Sequence, residues 1–336
     1  MNHTPGNHLD LPAGWSLRAA EPSDLDRLIA LREADRAPFA GPGPVDPERV
    51  ENEIVGLASW TRQQVVAVDE GAVVRAWASV HDRAAGRTMV HLYVDRTVPT
   101  AAAVAGALYD WMGERARVIA RMRGLHETQI DASPYAEDAE QRRWLADAGY
   151  RQVRTWLQMT RPVRPEEATS LPQPRPGVVV RPVDIHPNGL PVASELRTVH
   201  RMLEESFADH FNSYRESFPE FITRLREEPG HRWEHWRLAT VDGEPAGALI
   251  ASALKPGATG AEGSYVEYIG VSRIARGRGV AKALLHSVIA GTAVRGGDRV
   301  GLEVDADSPT GADGLYTSMG WRTDYVTESW HRDIAV

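Results

Sequence analysis

The chain of 336 residues is long enough for about two domains, each with its own hydrophobic core. Its net charge of −8 offers no general attraction for nucleic acid or an anionic membrane, and no apolar run of 18 residues could span a bilayer. Cysteine is absent, which excludes disulfides, thiolate metal ligands and cysteine nucleophiles. We therefore expect a cytoplasmic protein with no nucleic-acid or membrane partner.

The first half of the chain alternates strand-like and helix-like segments after residues 1–13, which we expect to form a flexible tail. From Ser16, "SLRAAEPSDLDRLIAL" predicts a strand, an acidic turn and a helix. "QVVAVDEGAVVRAWASV" (64–80) alternates around an acidic turn with a glycine, which predicts a β-hairpin. "MVHLYVD" (89–95) predicts a strand, and "QIDASPYAEDAEQRRWLADAGY" (129–150) predicts a strand and a helix.

The second half repeats this order of elements. "WRLATVDGEPAGALIASA" matches the hairpin, "YVEYIGVS" matches the following strand, and "EVDADSPTGADGLYTSMGW" matches the last segment. The matched residues Val68 and Val241 are 173 positions apart, and Gly149 and Gly320 are 171 apart. So steady an offset indicates that one domain has been duplicated. Each copy predicts a mixed sheet with helices packed on it, which is an α/β architecture.

A proline-rich segment separates the two copies. Residues 164–177 contain four prolines, which stiffen the backbone and remove hydrogen-bond donors. We therefore expect a surface linker at 164–177, with one domain at 14–163 and the other at 178–336.

The stretch "VEYIGVSRIARGRGVAKALL" (266–285) has the pattern of an anion-binding loop. A β-rich run gives way to two glycines that alternate with arginines, and an apolar pattern of helical period follows. At a helix N-terminus four backbone N–H groups lack helical acceptors, and the helix dipole is positive there. Gly277 and Gly279 leave those amides open, and Arg276 and Arg278 add charged donors. The loop therefore predicts a phosphate site.

The motif R-x-x-G-x-A, formed by Arg276, Gly279 and Ala281, resembles the acetyl-CoA loop of the GNAT superfamily (Gcn5-related N-acetyltransferases). P-loop and dinucleotide-binding patterns do not fit it. A second segment, "GADGLYTSMGW" (311–321), is similar to the family's A-x-x-L-Y-x-x-x-G-F, with tryptophan in place of phenylalanine. The resemblance covers the second copy. It implies two tandem GNAT domains, each a mixed, mostly antiparallel twisted sheet flanked by helices, in an acyltransferase that uses acetyl-CoA and no metal.

The resemblance also implies the contacts to acetyl-CoA. The strand ending at Val271 should separate from its neighbour at a bulge, so that pantetheine binds the backbone of Ile269, Gly270 and Val271 like a missing strand. The pyrophosphate should bind the loop and first helical turn, formed by Arg276, Gly277, Arg278, Gly279, Val280, Ala281 and Lys282.

Two residues are candidates for proton transfer. By resemblance, Tyr316 is the general acid for the departing thiolate, although its position would also suit a tyrosine in a helical core. Glu267 lies in an otherwise apolar strand, where a carboxylate is costly and commonly has a function or a partner. It is the candidate general base, with a pKa that we expect desolvation to raise. The alternative is a structural pair with an arginine.

Three histidines are candidate ligand-binding residues. His210, in "ESFADHFNSY" (205–214), is the candidate for substrate binding because many GNAT relatives shape the acceptor pocket there. A solvent-exposed histidine at a helix end is the alternative. His231 and His235 have helical spacing, but no third ligand accompanies them, so no metal site is predicted.

The first copy keeps the order of elements and lacks the loop. Its strand "HLYVD" is followed by "RTVPTAAAVAGAL" (96–108), which has no glycine at the equivalent place, and Pro99 has no N–H. Leu145 stands where the second copy has Tyr316. We therefore expect a degenerate GNAT-like domain here. The alternative is that this copy binds coenzyme A through other residues.

These features predict acetyl transfer to a primary amine of a small molecule by direct attack, at a single site in residues 178–336. Tandem GNAT proteins with one working half include mycothiol synthases, which are similar in length and layout, so that activity is an alternative. A non-catalytic acyl-CoA-binding or regulatory protein is the alternative of another class, and a longer acyl group also fits. The expected state is a monomer or a homodimer.

Overall fold

The computed structural model describes residues 9–41, 45–83, 87–208, 216–257, 259–308 and 311–336. Its strands are β1 (Ser16–Arg18), β2 (Arg62–Val68), β3 (Val74–Asp82), β4 (Arg87–Val94), β5 (Glu127–Ala132), β6 (Arg151–Pro162), β7 (Val178–Pro182), β8 (Arg237–Val241), β9 (Glu244–Leu254), β10 (Gly263–Val271), β11 (Arg299–Asp305) and β12 (Arg322–Ala335). Its α-helices are α1 (Leu25–Ala40), α2 (Pro47–Ile54), α3 (Ala101–Met122), α4 (Ala139–Asp147), α5 (Glu167–Ser170), α6 (Ala193–Phe207), α7 (Phe218–Arg226), α8 (Val280–Val294) and α9 (Ala312–Ser318). None of these helices is both long and apolar enough to cross a bilayer.

The chain forms two compact units. The first runs to Trp156 and also contains Tyr325–Val336, and the second is Leu157–Asp324. These units differ from the predicted domains at both ends of the second copy, because the segment 157–177 folds with the second unit and most of β12 folds with the first. Periodicity identifies a strand, but it does not say which sheet edge the strand will join.

Both units contain the same arrangement of five strands. The order is β1-β2-β3-β4-β5 in the first unit and β7-β8-β9-β10-β11 in the second. In each case the first four strands are antiparallel and the last pair is parallel. In the first unit β12 extends this order by pairing antiparallel with β5, and in the second unit β6 lies beside β11. The predicted duplication and the mixed, mostly antiparallel sheets are confirmed.

Helices cover both faces of each sheet. In the first unit, β3 alternates between the two cores, with Ala76 and Ala78 on the α3 face and Trp77 on the face covered by α1 and α2. In the second unit, α8 buries Leu284 and Ile289 completely on one face, and α6 and α7 enclose a separate core on the other. Each copy therefore presents one face to a long helix and the opposite face to a pair of helices.

Three histidines whose pKa values are lowered in the folded protein predict a loss of stability in acid. Burial lowers the pKa of His91 to about 3, that of His231 to about 4 and that of His235 to about 3. In the unfolded chain these pKa values return to about 6.5. As pH falls below that value the unfolded chain takes up the protons first, so the free energy of unfolding decreases. We expect calorimetric Tm values to fall steadily from about pH 6.5 towards pH 4. A constant Tm over this range would contradict the prediction.

Candidate active site

The parallel strands β10 and β11 separate part-way along their length. Their pairing ends at Val266 and Leu302, and the described residues of the two strands show no pairing beyond that point, although β10 continues to Val271. Between Val266 and Tyr268 the register of β10 against β9 shifts, which makes Glu267 the bulge residue. The predicted bulge and separation are therefore present. Beyond them, the edge of β10 that faces β11 offers backbone donors and acceptors without a strand partner.

The loop after β10 opens backbone amides towards solvent. Gly277 and Gly279 have φ angles of 77° and 88°, in the left-handed region that favours glycine. A Cβ atom placed on Gly277 would meet nothing within 4 Å. In the described structure the amides of Gly279, Val280 and Ala281 have no backbone acceptor, as expected for the first turn of α8. The loop thus provides the unblocked N–H groups that an anion requires.

Positive charge surrounds these amides. Arg276, Arg278 and Lys282 are all exposed beside them. The Arg278 guanidinium makes an ion pair with Asp242 at 3.1 Å, and both side chains are open to water. Because exposed ion pairs contribute at most about 1 kcal/mol, Arg278 can exchange this partner for a phosphate at little cost.

Arg175 also contacts the loop, and the sequence analysis missed it. Its Nη1 atom donates a hydrogen bond to the Gly277 carbonyl at 2.9 Å. Its Cδ atom lies 3.1 Å from the place that a Cβ atom on Gly279 would occupy. This arginine belongs to the segment predicted to be a surface linker, which instead carries α5 and packs on α8. Arg175 reaches the loop only through the fold. Its distance from the motif along the sequence does not predict this contact.

Glu267 lies on the sheet face that α6 and α7 cover. The Ser252 hydroxyl donates a hydrogen bond to Glu267 Oε1 at 2.7 Å. Ser252 and Ile250 share a face of β9, and Ile250 belongs to the core that packs against α6 and α7. A hydroxyl donor stabilises the ionised carboxylate, the form that a base needs.

Tyr316 combines a buried ring with an unused hydroxyl. The residue is 7% exposed, and its ring packs edge-on against Trp321 with 5.9 Å between centroids. Its hydroxyl makes no hydrogen bond among the described residues. Burial raises the pKa of Tyr316 to about 12, so the phenol is protonated at neutral pH. The position therefore serves the core and also leaves an O–H donor free.

Residues 196–321 match the sequence model of the acetyltransferase (GNAT) family. The second copy is a GNAT acetyltransferase domain. This match confirms the recognition from the loop and the "LY…GW" segment, and with it the predicted enzyme class. No curated protein matches the chain.

Solved structures extend the likeness to both copies. A GNAT from Sphaerobacter thermophilus is 24% identical over 97% of this chain and 98% of its own, with a TM-score of 0.76. A tandem GNAT protein from the clavulanic acid biosynthesis pathway is 14% identical over 95% of this chain and 98% of its own, with a TM-score of 0.65. A glucosamine N-acetyltransferase region of a fungal multi-domain GH3 β-N-acetylglucosaminidase is 13% identical over 96% of this chain and 38% of its own, with a TM-score of 0.64. At these identities the likeness establishes the fold, and it confirms the predicted tandem GNAT architecture.

A polar group that the sequence did not indicate holds α7 of the GNAT domain over β10. The Arg224 guanidinium donates to the Tyr268 hydroxyl at 3.0 Å and to the Glu216 carboxylate at 2.6 Å. Tyr268 directly follows the bulge, so this group fixes one wall beside Glu267. The predicted substrate residue His210 lies outside the described residues, between α6 and α7.

The first copy keeps the strand separation of a GNAT domain but has a different loop after the strand. Pairing of β4 with β5 ends at Met89, well before the end of β4. Arg96 follows the strand, and its guanidinium is bound by Asp35 at 2.9 Å and by Asp138, which is 1% exposed. The Ala101 amide donates to a carbonyl of the same turn. In this copy the arginine after the strand is therefore engaged by carboxylates, and the turn that follows has no glycine.

Proposed function

We propose that the chain transfers an acetyl group from acetyl-CoA to a primary amine of a small molecule, at one site in the second copy. The observation that supports this best is the presence in one unit of a separated strand edge, a loop of open amides and a buried tyrosine with a free hydroxyl. The first supplies donors and acceptors for pantetheine, the second holds a pyrophosphate, and the third can act on the leaving thiolate.

The donor is proposed to bind along β10 and α8. The backbone of Ile269, Gly270 and Val271 would hold the pantetheine arm, as a neighbouring strand would. Residues 276–282 would hold the pyrophosphate through amides and exposed cations. The left-handed glycines fit this role because no Cβ atom blocks the approach of the phosphates.

The proposed reaction forms the N–C bond as the amine attacks the acetyl carbonyl carbon, and the C–S bond then breaks. Glu267 accepts the proton of the amine, directly or through a water molecule. The Tyr316 hydroxyl donates to the sulfur as negative charge develops there. Because its pKa of about 12 lies above the usual thiol value of about 8.5, complete transfer to a free thiolate is unfavourable. Tyr316 therefore acts mainly by hydrogen-bond donation in the transition state.

The proposal assigns no acetyl transfer to the first copy. Arg96 is engaged by Asp35 and Asp138, the turn that follows has no glycine, and Leu145 replaces the acid. The non-catalytic alternative for the whole chain does not account for the free hydroxyl of Tyr316. The mycothiol synthase alternative depends on the tandem layout alone. A cytoplasmic location and a monomeric or homodimeric state stay predictions.

A screen of amines tests the reaction and the base together. Thiol release from acetyl-CoA is followed with a panel of primary amines and matched alcohols, using the wild type and Glu267→Gln. We expect release with at least one amine and with no alcohol. For Glu267→Gln we expect kcat/KM to fall about 10²-fold, with the loss smallest at high pH, where more of the amine is already deprotonated. Equal rates for the two proteins at all pH values would remove Glu267 from the mechanism.

Arg175→Ala tests the added arginine. The variant loses a hydrogen bond to the loop carbonyl and a positive charge beside the pyrophosphate site. We expect the Kd of acetyl-CoA to rise about 10-fold, which corresponds to about 1.4 kcal/mol, with kcat nearly unchanged. Arg164→Ala, a charge removal in the same segment, is the matched control and should bind as the wild type does. An unchanged Kd in Arg175→Ala would leave that residue a structural role only.

A further inference from the structure

The C-terminal end of α8, in the second copy, carries a polar face. Ser287, Gly291 and Arg295 follow one another at intervals of four residues, so they lie on one side of the helix. Arg237, the first residue of β8, reaches the same side, because its Nε atom donates to the Ser287 hydroxyl at 3.1 Å. Gly291 lies about 17 Å along the helix axis from Val280, so this face is separate from the proposed pyrophosphate site.

Two guanidinium groups border the bare surface of Gly291. A Cβ atom built on Gly291 would lie 3.2 Å from Arg237 Nη2 and 3.3 Å from Arg295 Nη1. Outside the backbone of α8 and the two adjacent residues, no other heavy atom of the described structure comes within 4 Å of that point. Gly291 is partly exposed and Arg295 is exposed. The two cations therefore converge on a space that opens to solvent.

Neither guanidinium has a carboxylate partner in the described part of the chain. Arg237 is 8% exposed, and its Nη1 atom donates to the backbone carbonyls of Glu234 and Trp236. Its Nη2 atom makes no hydrogen bond with the described residues, and it is not among the unpartnered atoms that the fold closes off from solvent. The one hydrogen bond that the Arg295 guanidinium makes there goes to the Ser264 hydroxyl, at 2.9 Å. A buried cation that lacks an anion is costly, so this pair favours an external partner.

The surrounding charges do not replace such a partner. Burial and the charge of Arg295 lower the pKa of Arg237 to about 10, against the opposing effect of Glu234. Burial also lowers the pKa of Arg295, although Glu234 and Glu262 oppose this. Both glutamates are exposed and lie beyond ion-pair distance of the two arginines, and Arg232 adds a further positive charge nearby. Both arginines therefore stay charged at neutral pH without a contacting carboxylate among the described residues.

Capping of α8 does not account for the two arginines. The carbonyls of Gly291 and Thr292 already accept hydrogen bonds from the backbone amides of Arg295 and Gly297. The helix end is thus closed by backbone groups, and no side chain is needed to cap it. The negative end of the helix dipole favours cations here, but it provides no acceptor for the unused N–H groups.

We propose that this face of α8 binds a phosphate group, either free phosphate or the end of a small phosphate monoester. The phosphate accepts hydrogen bonds from Arg237 Nη2 and Arg295 Nη1 over the bare surface of Gly291. Ser287 supplies a third donor, because its hydroxyl accepts from Arg237 and donates to no residue that the structure describes. A phosphate group carries nearly two negative charges at neutral pH, which matches two guanidinium groups. The proposal is independent of acetyl transfer, because it uses none of the residues assigned to that reaction.

The binding test is a ³¹P NMR titration of inorganic phosphate at constant ionic strength, in the Gly279→Glu chain, whose α8 loop is closed to anions. We expect saturable binding that weakens about 10-fold or more when Arg295→Gln is added. Arg232→Gln in the same background is the matched control. It removes a nearby exposed charge that does not border Gly291, so binding should change by less than about 2-fold. Methyl phosphate, titrated in the same way, identifies a monoester site if it binds and a site for free phosphate if it does not.

Gly291→Asp gives an independent test in the otherwise unchanged chain. Its carboxylate would lie between the two guanidinium groups, and Gly291→Asn is the neutral control of nearly the same shape. In phosphate-free buffer we expect the Tm of Gly291→Asp to exceed that of Gly291→Asn by about 2–4 °C, because the aspartate supplies the missing anion. The helix C-terminus alone would favour the opposite order, since a carboxylate is unfavourable at that end of the dipole.

Three outcomes would overturn the proposal. They are no binding of phosphate by Gly279→Glu, equal binding with and without Arg295→Gln, and a Tm of Gly291→Asp at or below that of Gly291→Asn. Phosphate binding that the wild type shows and Gly279→Glu loses would assign the anion to the α8 loop alone. Acetyl-CoA titrations of Arg295→Gln, which should match the wild type, report separately on the proposed acetyltransferase site, so that failure of one proposal is distinguished from failure of the other.

Discussion

Replacing Gly279 by glutamate is expected to abolish acetyl-CoA binding. Four effects act together. A residue with a Cβ atom is strained at a φ of 88°, the new Cβ atom would lie 3.1 Å from the Arg175 side chain, and the added carboxylate would repel the pyrophosphate. Because the carboxylate would also take the open amides for itself, we expect the Kd to rise about 10³-fold or more. Calorimetric titration should show one site per chain in the wild type and no heat of binding in the variant.

Gly296→Glu is the matched control for this experiment. Gly296 follows the other end of α8, has a φ of 75°, and would meet nothing within 4 Å on gaining a Cβ atom. Both variants therefore introduce the same residue at a left-handed position of one helix, and only one of them touches the loop. We expect Gly296→Glu to lose some stability and to bind acetyl-CoA normally. Two sites in the wild type would show that the first copy also binds the donor, and no binding by the wild type would contradict the donor assignment.

The features that sequence patterns predicted well are those that local backbone chemistry determines. The loop with Gly277 and Gly279 was predicted because left-handed turns select glycine and helix N-termini lack acceptors, and both properties act within a few residues. The hairpins were predicted because their tight turns also select residues that adopt positive φ. In the second one, Asp242 and Gly243 both adopt positive φ, as a two-residue turn between strands requires.

The features that sequence patterns missed depend on contacts between distant parts of the chain. Nothing in the alternation of β12 shows that it pairs with β5, about two hundred residues earlier in the chain. The prolines of residues 164–177 predicted a linker on the surface, and they do not reveal that Arg175 reaches the Gly277 carbonyl. Likewise, the loss of glycine after β4 indicated a degenerate loop, but it could not show that Arg96 forms an ion pair with Asp138.

Tyr316→Phe is expected to slow acetyl transfer while leaving the protein folded and able to bind acetyl-CoA. The ring stays packed against Trp321, and the deleted hydroxyl has no hydrogen-bond partner among the described residues, so the free energy of unfolding should change little. Removing the donor to the developing thiolate should lower kcat about 10²-fold with an unchanged Kd for acetyl-CoA. Steady-state rates and calorimetric titration measure the two quantities separately.

Tyr150→Phe is the matched control in the first copy, because it also removes a buried hydroxyl that has no hydrogen-bond partner among the residues the structure describes. Burial raises the pKa of both tyrosines above the usual value of about 10, so each stabilises the fold only while it is protonated. As pH rises above about 10 the unfolded chain loses these protons first, so the free energy of unfolding of the wild type falls. In each phenylalanine variant this fall should be smaller than in the wild type, because one of the two titrating hydroxyls is absent. The variants should thus share the gain in alkaline stability, and only Tyr316→Phe should lose activity. Full activity in Tyr316→Phe would mean that water, not Tyr316, donates to the leaving thiolate, and that Tyr316 serves only the core.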